Sequence, residues 1–380
     1  VTLTSGAPNP TNAPFSVTAT FSESVSDFVS SDVTTGNGVL SGFSGSGTTY
    51  TFTITPSSNG LVTVDVAASV AHDAAGNGNT AAATLSRTYD SVKPALVLST
   101  AVTDPTNVSP FTVTATFSKP VTGFTLGDIL VTNGVASALA GGPSVYTFSV
   151  TPSAQGLVSI NVAADVATDS VGNGNTEAVT LSRTFDSVQP TIVLSTAVSD
   201  PTNVSPFTVT ATFSESVSGF TLSDIVVTSG VASSLSGGPS VYTFSVTPSG
   251  QGLVSINVAA GVATDAAGNG NTAAATLSRT YDSVKPALVL STAVSDPTNV
   301  SPFTVTATFS ESVSGFTLSD IVVTNGVASA LTGGPSVYTF SVTPSAQGLV
   351  SINVAAGVAT DAAGNGNTAA ATLSRTYDSV

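Results

Sequence analysis

Phe111-Thr-Val-Thr-Ala-Thr-Phe117 puts Phe111, Val113, Ala115 and Phe117 on one side of an extended chain and three threonines on the other. That period of two marks a half-buried β-strand, because successive side chains of a pleated strand point to opposite faces. Tyr146-Thr-Phe-Ser-Val-Thr151 and Val158-Ser-Ile-Asn-Val162 alternate in the same way, and Val179, Leu181 and Phe185 mark a final strand. Gly-Gly-Pro at 141–143 and Thr-Pro-Ser at 151–153 are turn signals between strands. The pattern predicts that Phe111, Val113, Phe117, Phe148, Val150, Ile160 and Leu181 are buried. Thr112, Thr114, Thr147 and Ser159 are expected to be mostly exposed. No segment carries a sustained helical stripe. The one helical turn expected lies near Leu126-Gly-Asp128, where the Asp can cap exposed backbone N–H groups.

The pattern recurs. Tyr89-Asp-Ser-Val-Lys-Pro94, Phe185-Asp-Ser-Val-Gln-Pro190 and Tyr281-Asp-Ser-Val-Lys-Pro286 are copies of one linker, and Asp90, Asp186, Asp282 and Asp378 stand 96 residues apart. Four units follow: 1–92, 93–188, 189–284 and 285–380. Seven or eight short strands per unit, with turns every 8–12 residues, predict an all-β fold of four tandem immunoglobulin-like, two-sheet Greek-key sandwiches in an elongated array. A closed barrel is the competing all-β reading. The sandwich is preferred because its termini lie at opposite poles, so units can be chained through a linker of a few residues. At ~3.3 Å per strand residue each unit spans roughly 40 Å, and four in series reach on the order of 150 Å. Pro94, Pro190 and Pro286 limit hinge freedom by fixing φ. The chain is expected to be a four-unit piece of a longer array.

Composition narrows the function. The 380 residues carry 7 Lys+Arg against 22 Asp+Glu, a formal charge of -15. Nucleic-acid binding needs a basic stripe, and docking on an anionic membrane needs a basic patch; neither is present. Only 8% of residues are charged while 41% are hydrophobic, so packed cores are expected rather than charge-driven disorder. There is no Cys, which removes disulfides, thiolate metal sites and Cys nucleophiles together. No 18-residue apolar run exists, so no segment is expected to insert into a membrane, and none reads as a signal peptide.

Phe213-Ser-Glu-Ser-Val-Ser-Gly-Phe220, Ser223-Asp-Ile225 and Tyr242-Thr-Phe-Ser-Val-Thr-Pro248 resemble the bacterial Ig-like domains of large cell-surface adhesins. So does Asp265-Ala-Ala-Gly-Asn-Gly-Asn271 followed by Tyr281-Asp-Ser-Val-Lys-Pro286. The resemblance covers essentially the whole chain, four times over. It is specific for a repeat module and unspecific for a ligand. It implies a secreted or surface-anchored bacterial location and an extender role, holding a binding domain away from the cell.

Catalysis is not expected. His72 is the one imidazole, and its equivalents are Thr168, Thr264 and Thr360. A group present in one of four copies does not serve a repeated active site. Gly76-Asn-Gly-Asn79 has neither the Lys nor the following helix of a phosphate loop and reads as a tight turn needing positive φ. Arg87, Arg183, Arg279 and Arg375 recur at one strand position and are expected to pair with a neighbouring acid.

The informative polar feature is Asp-x-x-Gly-Asn-Gly-Asn, at 73–79, 169–175, 265–271 and 361–367. In an immunoglobulin topology this loop lies beside the incoming linker. Carboxylates distant in sequence are then expected to converge at each junction, where Ca²⁺ with six to eight oxygen ligands would relieve their repulsion. At the second junction the expected ligands are Asp104, Asp186, Glu215, Asp265 and Asn269. At the third they are Asp200, Asp282, Glu311, Asp361 and Asn365. Turn capping by Asp and Asn through their own backbone is an equally supported reading. The first junction has Asn9, Asp90, Lys119 and Asp169, and Lys119 is expected to supply the positive charge in place of a metal.

Three functions fit. An extender, whose partners are the neighbouring repeats of its own chain, is the leading one. The second is a self-assembling extracellular filament or sheath subunit, which the weakly charged Ser/Thr/Asn/Gly surface would let pack against copies of itself. The third is a multivalent glycan- or protein-binding module gaining avidity from repetition. Asn-Val-Ser at 107–109, 203–205 and 299–301 matches a glycosylation pattern but is read as a chance match.

Overall fold

The computed structural model describes residues 1–380, all of them. The first repeat contains β1 (Thr2–Thr4), β2 (Phe15–Val25), β3 (Val33–Gly36), β4 (Gly38–Pro56), β5 (Gly60–Val66) and β6 (Leu85–Tyr89). The second contains β7 (Leu96–Ser99), β8 (Phe111–Phe117), β9 (Ile129–Thr132), β10 (Gly134–Gly141), β11 (Val145–Pro152), β12 (Gly156–Val162) and β13 (Leu181–Phe185). In the second repeat the strands form two sheets, ordered β10-β11-β8-β7 and β13-β12-β9. That 4 + 3 arrangement, with its strands paired antiparallel, is the constant-type immunoglobulin sandwich. Sequence neighbours β8 and β9 lie in different sheets, so the chain crosses the core between them.

The third and fourth repeats carry the same seven strands in the same two orders. The first differs in its longer strands: β4 is a single run of 19 residues where later repeats have two separate strands, and β2 has 11 residues where its counterparts have 7. Compact units comprise Val1–Ser187 and Val188–Val380, each holding two sandwiches.

Alternation sets the core. Along β8 the apolar positions are buried and the threonines between them are exposed or half-buried. Phe111, Val113, Phe117, Phe148, Val150 and Ile160 are all buried as expected. Leu181 is only half-buried, against the expectation, because β13 is an edge strand with one neighbour, β12. Val179 lies outside β13 and is 86% exposed, so it marks no strand. Phe117, Phe124 and Tyr146 pack edge to face at centroid distances of 5.1–5.9 Å and close off one edge of the core. The helical turn is a single 3₁₀ turn at Leu126–Asp128, and Asp128 accepts the Thr125 N–H at 2.7 Å.

The repeated arginine corrects another expectation. Arg183 Nε donates to the Val102 carbonyl at 3.1 Å and Nη1 to the Ser182 carbonyl at 2.7 Å, and Arg279 and Arg375 repeat both bonds. None of the four arginines is in an ion pair. The guanidinium fork pins the loop after the first strand to the final strand, with one carbonyl from each, because that loop passes the edge of the final strand and leaves a backbone acceptor there.

Candidate metal centre

The Asp-x-x-Gly-Asn-Gly-Asn loop divides its polar residues between two tasks. In the fourth repeat its last Asn, Asn367, is 1% exposed. Asn367 Oδ1 accepts the Ala359 N–H at 2.9 Å, and Nδ2 donates to the carbonyls of Ala355 and Thr368 at 3.0 and 2.8 Å. This amide substitutes for the β-ladder where the chain leaves the sheet, and Asn175 and Asn271 make the same bonds. Gly364 has φ +92, a left-handed turn position, and a Cβ on Gly366 would meet Gly357 Cα at 2.9 Å. One glycine serves conformation and the other close approach.

The first Asp and the middle Asn face the linker. Asp361 is 7% exposed; its Oδ1 accepts the Asn365 N–H at 2.8 Å and its Oδ2 the Asn365 Nδ2 at 2.9 Å. Asn365 Nδ2 also donates to the Asp282 carbonyl at 2.9 Å, and Asn365 Oδ1 accepts Asn203 Nδ2 at 3.2 Å. The loop is thereby tied to the linker and to the third repeat. Around it the carboxylate oxygens of Asp282, Glu311 and Asp361 lie within 4.8 Å of one another. Burial, then the charges of Asp361 and Asp282, push the Glu311 carboxyl above its ordinary range. Three carboxylates this close lack a compensating charge from the protein, and a hard cation is the group their oxygens suit.

The first unit answers the same problem differently. Lys119 stands where Glu215 and Glu311 stand in the later repeats. Its Nζ donates to Asp90 Oδ2 at 2.7 Å and Oδ1 at 3.0 Å, to the Val92 carbonyl at 2.6 Å and to Asp169 Oδ2 at 3.2 Å. Asp90 is held below the ordinary carboxylate range, first by the Lys119 hydrogen bond. Desolvation pulls Lys119 down, but its bonds to Asp90 and Asp169 outweigh that and leave it raised. For Asp169 burial pushes up, and hydrogen bonds from Asn173, Val171 and Lys119 outweigh it, holding the group at about 2.

A pH dependence follows. A carboxyl lowered on folding adds stability above its unfolded value, here 3.8, and that stability is lost as pH falls through about 2. Acid titration from pH 5 to 2 is expected to cost the second repeat on the order of 2 kcal/mol through Asp169. The Asp169→Asn variant should lack this component; an unchanged acid transition would refute the assignment.

The remaining expected ligands are placed as follows. Asp200 is not in the three-carboxylate group: its Oδ1 accepts the Thr280 N–H of its own sandwich at 2.7 Å. Asp104 does the same with Thr184 at 2.7 Å, and Asn9 with Thr88 at 2.8 Å. Asn and Asp therefore serve alike at this position as acceptors of a backbone N–H. Asp186 belongs to the first unit, where its N–H donates to the Thr106 carbonyl at 3.0 Å. In the second unit, oxygens of Glu215 and Asp265 lie within 4.8 Å of each other. Asp265 accepts the backbone N–H and side-chain Nδ2 of Asn269, both at 2.8 Å, so the loop matches 361–367.

Sequence reasoning missed Asn12 and Asn203, which bond Asn173 and Asn365 of the following repeat. Their signal was the recurring Pro-Thr-Asn, which at Asn203 was read only as part of a chance glycosylation match and at Asn12 was not read at all. His72 is bound to Asp27, with Nδ1 to Oδ2 at 2.8 Å, on an exposed surface.

A family model described as bacterial Ig-like domain matches the chain four times, over residues 1–89, 90–184, 186–281 and 282–377. No curated protein matches. Among solved structures the chain is similar to invasin, a bacterial integrin-binding protein, at 13% identity and a TM-score of 0.39, over 100% of this chain and 80% of that one. It is also similar to the S-layer protein rSbsC, at 18% identity and a TM-score of 0.24, over 100% of this chain and 55% of that one. For the adhesin InvE of Yersinia pseudotuberculosis the values are 17% and 0.21, over 50% of this chain and 59% of that one.

Proposed function

Because this chain belongs to the bacterial Ig-like domain family, four copies over, we propose that it is an extender segment of a secreted or surface-anchored bacterial adhesin. The observation that carries the reading is the docking repeated inside each unit. Asn173 Nδ2 holds the Asp90 carbonyl and Thr176 N–H the Pro94 carbonyl; Asn365 and Thr368 hold Asp282 and Pro286 identically, all at 2.9 Å. A module that grips its own incoming linker converts copy number into reach, and near-identical copies suit a spacer.

Ca²⁺ is the finer part of the proposal. It would be held by Asp282, Glu311 and Asp361, with Asp186, Glu215 and Asp265 carrying the same residue types one period earlier. The all-oxygen donor set supports a hard cation. A spread within 4.8 Å fits Ca²⁺, whose ligands at 2.3–2.6 Å can stand about 5 Å apart across the ion. Binding would tie the linker carboxylate of one repeat to two loops of the next and stiffen their junction.

One preparation of the full chain tests both parts. Calorimetric titration with Ca²⁺ is expected to give saturable binding, weakened at least ~10-fold in Glu311→Gln; absence of binding would refute the calcium part. Spliced in one or two tandem copies between a fixed anchor and a fixed reporter adhesin, the chain should extend capture distance with copy number. The chain alone should capture nothing. Glycan or host-protein binding by the isolated chain would favour a binding module, and ordered fibres under electron microscopy would favour a filament subunit.

A further inference from the structure

We infer that Lys119 is a resident cation: between Asp90 and Asp169 its ammonium takes the position equivalent to the one a divalent ion would take between Asp282, Glu311 and Asp361, and so closes the first junction without metal. The inference deepens the calcium reading above and rests on it for the comparison between junctions, although the lysine's own role does not.

Lys119 and Glu311 each follow the second strand of their repeat by two residues, so their side chains leave the same point of the fold. The Lys119 Nζ gathers Asp90, the Val92 carbonyl and Asp169, at 2.6–3.2 Å. Two 96-residue periods later, the same positions are Asp282, Val284 and Asp361. The Asp282 and Asp361 oxygens lie within 4.8 Å of Glu311.

The charges correspond as well. Two carboxylates and an ammonium leave the first junction at -1. Three carboxylates leave the third at -3, which a divalent ion returns to -1. A single Lys-for-Glu exchange therefore differs by the charge of one such ion. An ammonium with three N–H donors reaching four oxygens is a fair mimic of a small cation in an oxygen cage. It differs in being covalently attached, so it cannot be chelated away. The array would then combine a junction that is closed under all conditions with one that stiffens only when calcium is present.

Hydrogen exchange on the full chain reads each junction separately. The Thr176 amide bonds the Pro94 carbonyl and the Thr368 amide bonds the Pro286 carbonyl, both at 2.9 Å, so the two report equivalent contacts. In chelator, Thr176 is expected to exchange about tenfold more slowly than Thr368, a value between those of exposed and buried ion pairs. Ca²⁺ should slow Thr368 and leave Thr176 unchanged. Lys119→Glu should speed Thr176 about tenfold in chelator, with Ca²⁺ restoring it. Lys119→Gln should speed it without rescue. Glu311→Lys should make Thr368 slow in chelator and indifferent to Ca²⁺. Amides of β11 and β12 control for loss of the sandwich itself.

Unchanged Thr176 exchange in both Lys119 variants would overturn the inference, as would a wild-type Thr176 as calcium-responsive as Thr368. If Thr368 ignores Ca²⁺ while both Lys119 variants loosen Thr176, the calcium reading fails and the lysine lock stands.

Discussion

Phe244→Ala is expected to destabilise the third repeat by about 3–5 kcal/mol, the range for removing a large buried aromatic without refilling its space. Phe244 is 1% exposed, pairs across the sheet with Val209 and sits among Phe207, Val246, Val254 and Ile256. The neighbours that could close the cavity are mostly β-branched, with side chains stiff at χ1, so little collapse is available. The domain has no disulfide to hold it while the core reorganises. Denaturant titration of the full chain, followed by repeat-resolved exchange, should show the third repeat unfolding at a lower midpoint. The first repeat should be unmoved, because each repeat has its own hydrophobic cluster. A loss under about 1 kcal/mol would mean that Phe244 is not packed in this core.

Asn271→Ala is expected to cost about 3 kcal/mol, although it removes only a small polar side chain. Asn271 is 0% exposed, and its amide satisfies the Ala263 N–H and the carbonyls of Ala259 and Thr272 at 2.7–2.9 Å. Alanine would leave all three without this partner, the Ala263 N–H in the buried core and the two carbonyls in part-buried positions, and the desolvation penalty outweighs the modest net value of each bond. Asn271→Asp is the sharper experiment. It keeps the acceptor for Ala263 but turns a carboxylate oxygen toward two carbonyl oxygens. The buried acid should bind its proton more tightly folded than unfolded, so its pKa is raised on folding. Stability should then be highest below the unfolded value of that acid and fall as pH rises through the folded one, opposite in sign to the Asp169 effect. A pH-independent loss in Asn271→Asp would show that the side chain is not clamped as described.

The division between local and tertiary information is clear in particular residues. The alternation in Phe111–Phe117 decided strand, face and burial, because the pleat is a property of the backbone and repeats every two residues. The recurring Asp-Ser-Val-Lys-Pro linker decided the number of repeats. Asp128 capping a turn and Gly364 at positive φ were legible for the same reason: each interaction spans only a few residues. Val179 was misread because alternation has no way to signal where a strand stops being paired. The arginines were misread because charge suggests an acid, whereas the groups left over at that edge are carbonyls of a loop about 80 residues away. Asp200 and Asn203 lie in one short loop, and nothing local says which turns inward to Thr280 and which reaches Asn365. Only the path of the linker and the packing of one sandwich's loops against the next decide that. The same holds for Lys119. Its charge was visible in the sequence, but four oxygens around one ammonium arise because the linker and two loops meet at a point, and sequence separation carries no record of that meeting.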